Sequence, residues 1–270
     1  MNDFHAILLQ STLDDTPMPR VQAKEVKANV ALSPSRLPGL LWALNPYVGC
    51  EHDCVYCYAP YTTKKDPLKW GCEVGYRANL PELLAKELPV KKGMIGLGTV
   101  TDPWQPLEAT LSLTRKCLME IAAVGAPVSA LTKSDLIIRD IDLLAPLPCS
   151  EVGISITCLD ADIAAKVEPY AASPLRRLEA LRRCKEAGIN TFMLLGPLLP
   201  CLTLKEADEL LAEAAVRGCK RVMVDRYRPR PGIEARLAPA GEFDWNHPKV
   251  NEHDIFELCR KHKQKCESAF

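Results

Sequence analysis

The chain has 270 residues, enough for one large domain or two small ones, and 47% of them are hydrophobic, enough for a substantial core. Lysine plus arginine equals aspartate plus glutamate at 34 each, so the overall charge carries no nucleic-acid footprint. No apolar run reaches membrane-spanning length, and Asp3, Asp14 and Asp15 stand where a secretory signal would be basic and then apolar, so a cytoplasmic protein with no membrane partner is expected.

Residues 1–34, with Pro17, Pro19 and Pro34, read as a surface strap. A first strand, 40–45, leads directly into a loop holding Cys50, Cys54 and Cys57. Residues 58–80 are irregular, with Glu73–Tyr76 as a short extra strand. Further strands are expected at 94–100, 127–131, 151–157, 190–196 and 220–225. Helices are expected at 110–124, at Asp140–Leu144, at 174–187 between Pro174 and Gly188, at 204–217, and at about 251–266. Short apolar strands alternating with amphipathic helices predict parallel βαβ units. The pattern fits a partial barrel or an open doubly wound sheet; both gather ligand chemistry at the carboxyl ends of the strands, where the cysteine loop lies.

That loop carries the strongest signal. Its spacing is C-x3-C-x2-C, with Tyr56 before the last cysteine. Three thiolates suit a [4Fe–4S] cluster and leave one iron open. Structural zinc usually takes four ligands, often as two C-x2-C pairs, and only Cys54–Cys57 forms such a pair; His52 is a poorly placed fourth donor. The other nine cysteines are scattered and read as small buried hydrophobes, in keeping with a reducing cell.

Asn45-Pro46-Tyr47, Gly49 and the run CVYCYA around the triplet resemble the radical S-adenosylmethionine (radical SAM) enzymes, in the spore photoproduct lyase-related branch, from about Ser35 to about Asp225. The resemblance implies an α/β fold, a partial (β/α)6 TIM-type barrel, over 35–226, with 227–270 as a C-terminal extension packing on it. It implies a [4Fe–4S] cluster on Cys50, Cys54 and Cys57. SAM binds the open iron and is reductively cleaved to a 5′-deoxyadenosyl radical that abstracts hydrogen from substrate. An external one-electron donor, flavodoxin- or ferredoxin-like, is implied as a partner.

Other positions match the family's pattern and are candidate SAM contacts. Thr101 and Asp102 lie in the T-D-P-x-Q-P-x-E element after the second strand, with turn chemistry as the alternative for Asp102. Lys133 lies in the T-K-S step after the third strand, followed by Arg139-Asp140 as a structural ion pair. Ser155 is on the fourth strand. Glu168 and Arg177 lie in E-P-x-x-x-S-P-x-x-R-L, where a loop–helix salt bridge is equally expected, and Tyr56 completes the set.

One departure narrows the function. Spore photoproduct lyase is expected to use a cysteine hydrogen donor at the end of the second strand, and Thr99 occupies that position. The expected activity is therefore hydrogen abstraction from an unidentified substrate other than the thymine dimer. Nucleic acid leads by analogy, and YRPRP at 227–231 reads as a solvated basic loop. Two alternatives stay open. One is radical modification of a peptide or small metabolite, with an auxiliary cluster on Cys259, Cys266 and either Cys219 or Cys201. The other is a non-enzymatic iron–sulfur or zinc module.

Overall fold

The computed structural model describes residues 21–269 apart from 242 and 246, so residues 1–20 of the expected strap lie outside the described residues. The strands are β1 (Gln22–Glu25), β2 (Ser33–Pro34), β3 (Trp42–Leu44), β4 (Tyr47–Val48), β5 (Glu73–Tyr76), β6 (Ile95–Leu97), β7 (Val128–Thr132), β8 (Glu151–Ser155), β9 (Asn190–Leu198), β10 (Arg221–Arg226) and β11 (Lys265–Ser268). The main sheet runs β11-β10-β9-β8-β7-β6-β3-β2, and every neighbouring pair is parallel except β2 with β3. From β3 to β11 each new strand is added on the same side. A doubly wound sheet would reverse its order; this one never does, which decides for the partial barrel.

The longer helices are α1 (Leu80–Glu87), α2 (Leu113–Val124), α3 (Pro174–Glu186), α4 (Leu204–Val216) and α5 (Glu252–Lys261). Strand alternation sorts the side chains. Val128, Ala130, Val152, Ile154, Met193, Leu195, Val222 and Val224 are buried in one core with Leu118 and Ile121 of α2, Leu178 and Leu181 of α3, and Leu210 and Leu211 of α4. On the opposite strand faces, Phe192, Leu194, Leu131 and Met223 form a second cluster. Arg221 lies over the Phe192 ring at 4.9 Å and pairs with Glu151 and Glu267 at 2.5 Å each. The free space is left at the carboxyl ends of the strands.

Three boundaries differ from expectation. The helix expected at 110–124 breaks at Ser112, which adopts φ 51° between a short helix Glu108–Leu111 and α2. A further helix, Ala161–Val167, precedes α3; Asp160 caps it by accepting from Asp162 and Ile163 N–H. The helix expected to run to 266 stops at Lys261, and residues 265–268 form β11 beside β10, a seventh parallel strand. Helices α2, α3 and α4 end with glycine at positive φ, at Gly125, Gly188 and Gly218. Helix α5 ends with the same pair of bonds, Lys263 N to Arg260 O (3.1 Å) and Gln264 N to Cys259 O (2.8 Å), but with Lys263 at φ 57°. Without glycine, the stop was invisible in the sequence.

A small second sheet, β1-β5-β4, stands beside the cysteine loop. Its parallel β1–β5 pair ties residues 22–25 of the strap to the segment that follows the loop.

Candidate active site

A cavity of about 450 Å³ opens at the carboxyl ends of the strands, and Cys50, Cys54 and Cys57 all line it. Their loop is held on every side. Gly49 has φ 95°, and a Cβ there would sit 2.5 Å from the carbonyl oxygen of Glu73 in β5; only glycine allows this approach. Cys50 N donates to Trp70 O at 3.3 Å, and Val55 N to Val167 O at 3.0 Å. Glu51 N donates to Gln105 Oε1 at 2.8 Å, and the Glu51 carboxylate accepts from Leu107 N. From the C-terminal segment, the short helix Glu234–Leu237 supplies Arg236. Its Nη2 donates to Asp53 Oδ1 (2.8 Å) and to Cys54 O (2.9 Å).

The residues before the triplet do structural work. Asn45 Nδ2 donates to Thr99 Oγ1 at 3.0 Å while its Oδ1 accepts from Val100 N at 3.1 Å, tying the end of β3 to the end of β6. Tyr47 donates to the fully buried Glu108 at 2.5 Å, and Glu108 pairs with Arg139 at 2.6 Å. Arg139 also pairs with the buried Asp140 at 2.8 Å, the structural role expected for Arg139-Asp140.

Of the candidate contacts, Tyr56, Thr101, Asp102, Lys133 and Ser155 line the cavity with the three thiols. Thr101 Oγ1 donates to Tyr47 O at 3.2 Å and Ser155 Oγ to Gly196 O at 3.5 Å, so both oxygens retain acceptor capacity. Asp102 is heavily engaged. Its Oδ1 accepts from Thr132 Oγ1 (2.7 Å) and Trp104 N (2.9 Å), and its Oδ2 accepts from Lys133 N (2.7 Å) and faces His52 Nδ1 (3.3 Å). Burial opposes its charge, but His52 and these donors hold its carboxyl below the usual range.

Glu168 and Arg177 do not line the cavity. They form a buried ion pair at 2.5 Å behind Tyr56, whose hydroxyl donates to Glu168. Arg177 also donates to Ala172 O (2.6 Å) and to Ser155 O (3.1 Å), bracing the end of β8. Burial disfavours both charges, yet each partner outweighs it: Glu168 is held below its ordinary pKa and Arg177 above. The salt-bridge alternative describes where these two side chains lie.

Lys133 points its ammonium toward the Tyr56 ring, 5.8 Å from the centroid. Burial lowers its pKa, but Cys54 and Glu168 raise it further, so the ammonium is stabilised. Burial pushes the Cys54 thiol up to about 12 and the Cys50 and Cys57 thiols upward too, with Lys133 pulling Cys54 and Cys57 the other way. Among the described residues, no three histidine, cysteine or acidic side chains converge on a point that a single metal ion would fill. Zinc requires such convergence, with sulfur at about 2.3 Å from one ion. A cubane spreads its thiolates over separate irons, so three thiols lining one cavity with an ammonium fit it.

The Radical SAM superfamily model matches residues 44–214. The chain belongs to the radical SAM superfamily. Its cofactors are therefore a [4Fe–4S] cluster and SAM, and it is an enzyme. Similar sequences include an uncharacterised protein of Methanocaldococcus jannaschii, 34% identical over 184 residues (68% of this chain, 70% of that one). An uncharacterised protein of Mycobacterium tuberculosis is 30% identical over 234 residues, 82% of this chain but only 64% of that longer protein. In fold the chain resembles spore photoproduct lyase, with a TM-score of 0.66 at 15% identity over 92% of this chain and 82% of that one. It also resembles methylornithine synthase, with a TM-score of 0.57 at 15% identity over 83% and 63%. Among the described residues, no helix is long and apolar enough to cross a membrane.

His52, Gln105 and Arg236 as supports of the radical SAM loop escaped sequence reasoning. Gln105 gave a weak signal, a polar residue inside an apolar, proline-bounded stretch. Arg236 gave none, being 182 residues beyond Cys54 in the chain.

Proposed function

We propose that Cys50, Cys54 and Cys57 hold the [4Fe–4S] cluster, that SAM occupies the inner part of the cavity, and that an organic substrate enters at its mouth. The observation that carries this reading is that three thiols, one ammonium and two strand-end hydroxyls open onto one cavity above the parallel strands. When bound, the cofactors supply a 5′-deoxyadenosyl radical, by one-electron cleavage of SAM, that abstracts hydrogen from the substrate.

The chain's own residues bind and orient. The Lys133 ammonium would pair with the carboxylate of SAM, and a charge-assisted bond of this kind is strong. Thr101 and Ser155 supply acceptors for an ammonium. Asp102 sets the end of β7 and the turn of Lys133 through its bonds to Thr132 and Lys133 N. Glu168 and Arg177 fix Tyr56 and Ser155 from behind.

The electron comes from an external flavodoxin- or ferredoxin-like donor in the cytoplasm. Nucleic acid is the leading substrate class; it rests on fold likeness to a spore photoproduct lyase solved with a dinucleoside spore photoproduct. Against thymine-dimer repair stands Thr99, whose hydroxyl is bonded to Asn45 and is a far poorer hydrogen-atom donor than a thiol. Among the described residues, no cysteine outside the triplet lines the cavity.

Anaerobic reconstitution tests the reading. The chain should take up about four irons, and dithionite plus SAM should yield 5′-deoxyadenosine. Cys54→Ala should abolish both. Iron uptake without SAM cleavage, or cleavage retained in Cys54→Ala, overturns the reading.

A further inference from the structure

From the last residue of β10 the chain reads Arg226-Tyr227-Arg228-Pro229-Arg230-Pro231. The sequence suggests a solvated loop, but Arg226, Arg228 and Arg230 all line the cavity. They recur at every second position, the spacing that puts side chains on one side of an extended segment, and the two prolines keep the segment out of a helix.

The three arginines are not equivalent. Arg226 faces Glu252 at 3.6 Å, and Arg228 is bonded to Asp225 at 2.6 Å. Arg230 has neither: among the described residues it forms no ion pair, and its Nε is buried with no hydrogen-bond partner. A buried donor without a partner is costly, and a guanidinium more so, unless a ligand completes it. The cavity's own acids do not serve, because Asp225 is taken by Arg228 and Asp102 by its four donors. The chain as a whole carries formal charge +0, so this positive mouth is a local arrangement. Tyr58 also lines the cavity; it is 46% exposed, with its hydroxyl anchored on Thr99 O at 3.0 Å. Its ring offers a flat surface in the same cavity as Arg230.

We propose that Arg230 is the specificity-determining residue for an oxyanion on the substrate, a phosphate or a carboxylate, carried next to a flat ring that stacks on Tyr58. A guanidinium fork matches either oxyanion in two parallel bonds. The proposal rests on the reading of the cavity as the radical site and names the chemistry of what enters its mouth. Lys133 is set apart, deeper among the thiols, for the cofactor.

The test uses the full chain, anaerobically reconstituted and loaded with SAM, titrated calorimetrically at constant ionic strength with phenyl phosphate, benzoate and neutral benzyl alcohol. One or both anions should bind at least about tenfold more tightly than benzyl alcohol, and the stronger of the two identifies the oxyanion. Arg230→Ala should remove that preference and Arg230→Lys restore part of it. The cluster's electron paramagnetic resonance spectrum serves as the control that each variant is folded and loaded. Equal binding of all three probes, or an anion preference that survives in Arg230→Ala, overturns the proposal. Loss of SAM cleavage in wild type with the anion preference intact would instead strike the radical reading.

Discussion

The imidazole Nδ1 of His52 stands 3.3 Å from Oδ2 of Asp102, with both side chains almost wholly buried. One residue belongs to the cysteine loop and the other to the turn after β6, so the pair joins the loop to the sheet. Asp102 extends the join to β7 through Thr132 and the backbone of Lys133. The carboxylate therefore acts as a clasp, and its lone pairs are spent inside the protein.

Asp102→Asn should destabilise the apo chain by about 2–3 kcal/mol, because an amide nitrogen would face a donor where a charged acceptor stood. Urea unfolding measures this. A change below about 0.5 kcal/mol, the size of an ordinary surface substitution, would remove the clasp.

The Glu168–Arg177 pair predicts a different pattern. Both side chains are about 1% exposed or less. Losing one partner strands a buried charge, so Glu168→Gln or Arg177→Met alone should each cost about 3–5 kcal/mol. The double variant should cost less than the sum of the two. Additive losses in a double-mutant cycle would show that the charges do not depend on each other.

Glu87 of α1 predicts a pH effect. Burial opposes its charge, but Lys91 and the N–H groups of Ala31 and Leu32 hold its carboxyl below the ordinary value. A depressed native pKa means that the unfolded chain binds a proton first. The stabilisation is complete above the unfolded value of about 4.3 and is lost as pH falls through the lower native one. Amide exchange at Ala31 and Leu32 should accelerate beyond its intrinsic trend in that window in wild type but not in Glu87→Gln. Matching profiles for the two proteins would refute it.

Lys263 ends α5 at φ 57° where the three preceding long helices use glycine. A side chain in the left-handed region is disfavoured by about 1 kcal/mol, so Lys263→Gly should stabilise the chain by roughly 0.5–1 kcal/mol. Thermal melting should show a rise of a degree or two at least. A fall would mean that the lysine side chain contributes more than its backbone costs.

Much of the architecture could be read from the chain, for a physical reason. Strand alternation and helical periodicity are local patterns imposed by burial, so all six expected strands appear within a few residues of their predicted bounds. The seventh strand was hidden because Lys263 performs a turn that glycine usually announces. Whether the units form a barrel or a doubly wound sheet depends on the spatial order of strands, which no local pattern encodes.

The candidate site divides in the same way. Three thiols within eight residues write their chemistry into spacing alone, because a cluster needs them close together in the chain and in space. Charged groups are different: their role depends on which neighbour the fold supplies. Asp102 and Glu168 were both legible as acidic residues near cofactor chemistry, yet folding gave one to His52 and the turn of Lys133, and the other to Arg177 and Tyr56. Arg236 and Arg230 lie far down the chain and acquired their places only when the C-terminal segment returned across the strand ends. Spacing carried the radical chemistry, because it is local; long-range packing assigned the charges that surround it, because a charge takes its meaning from its partner.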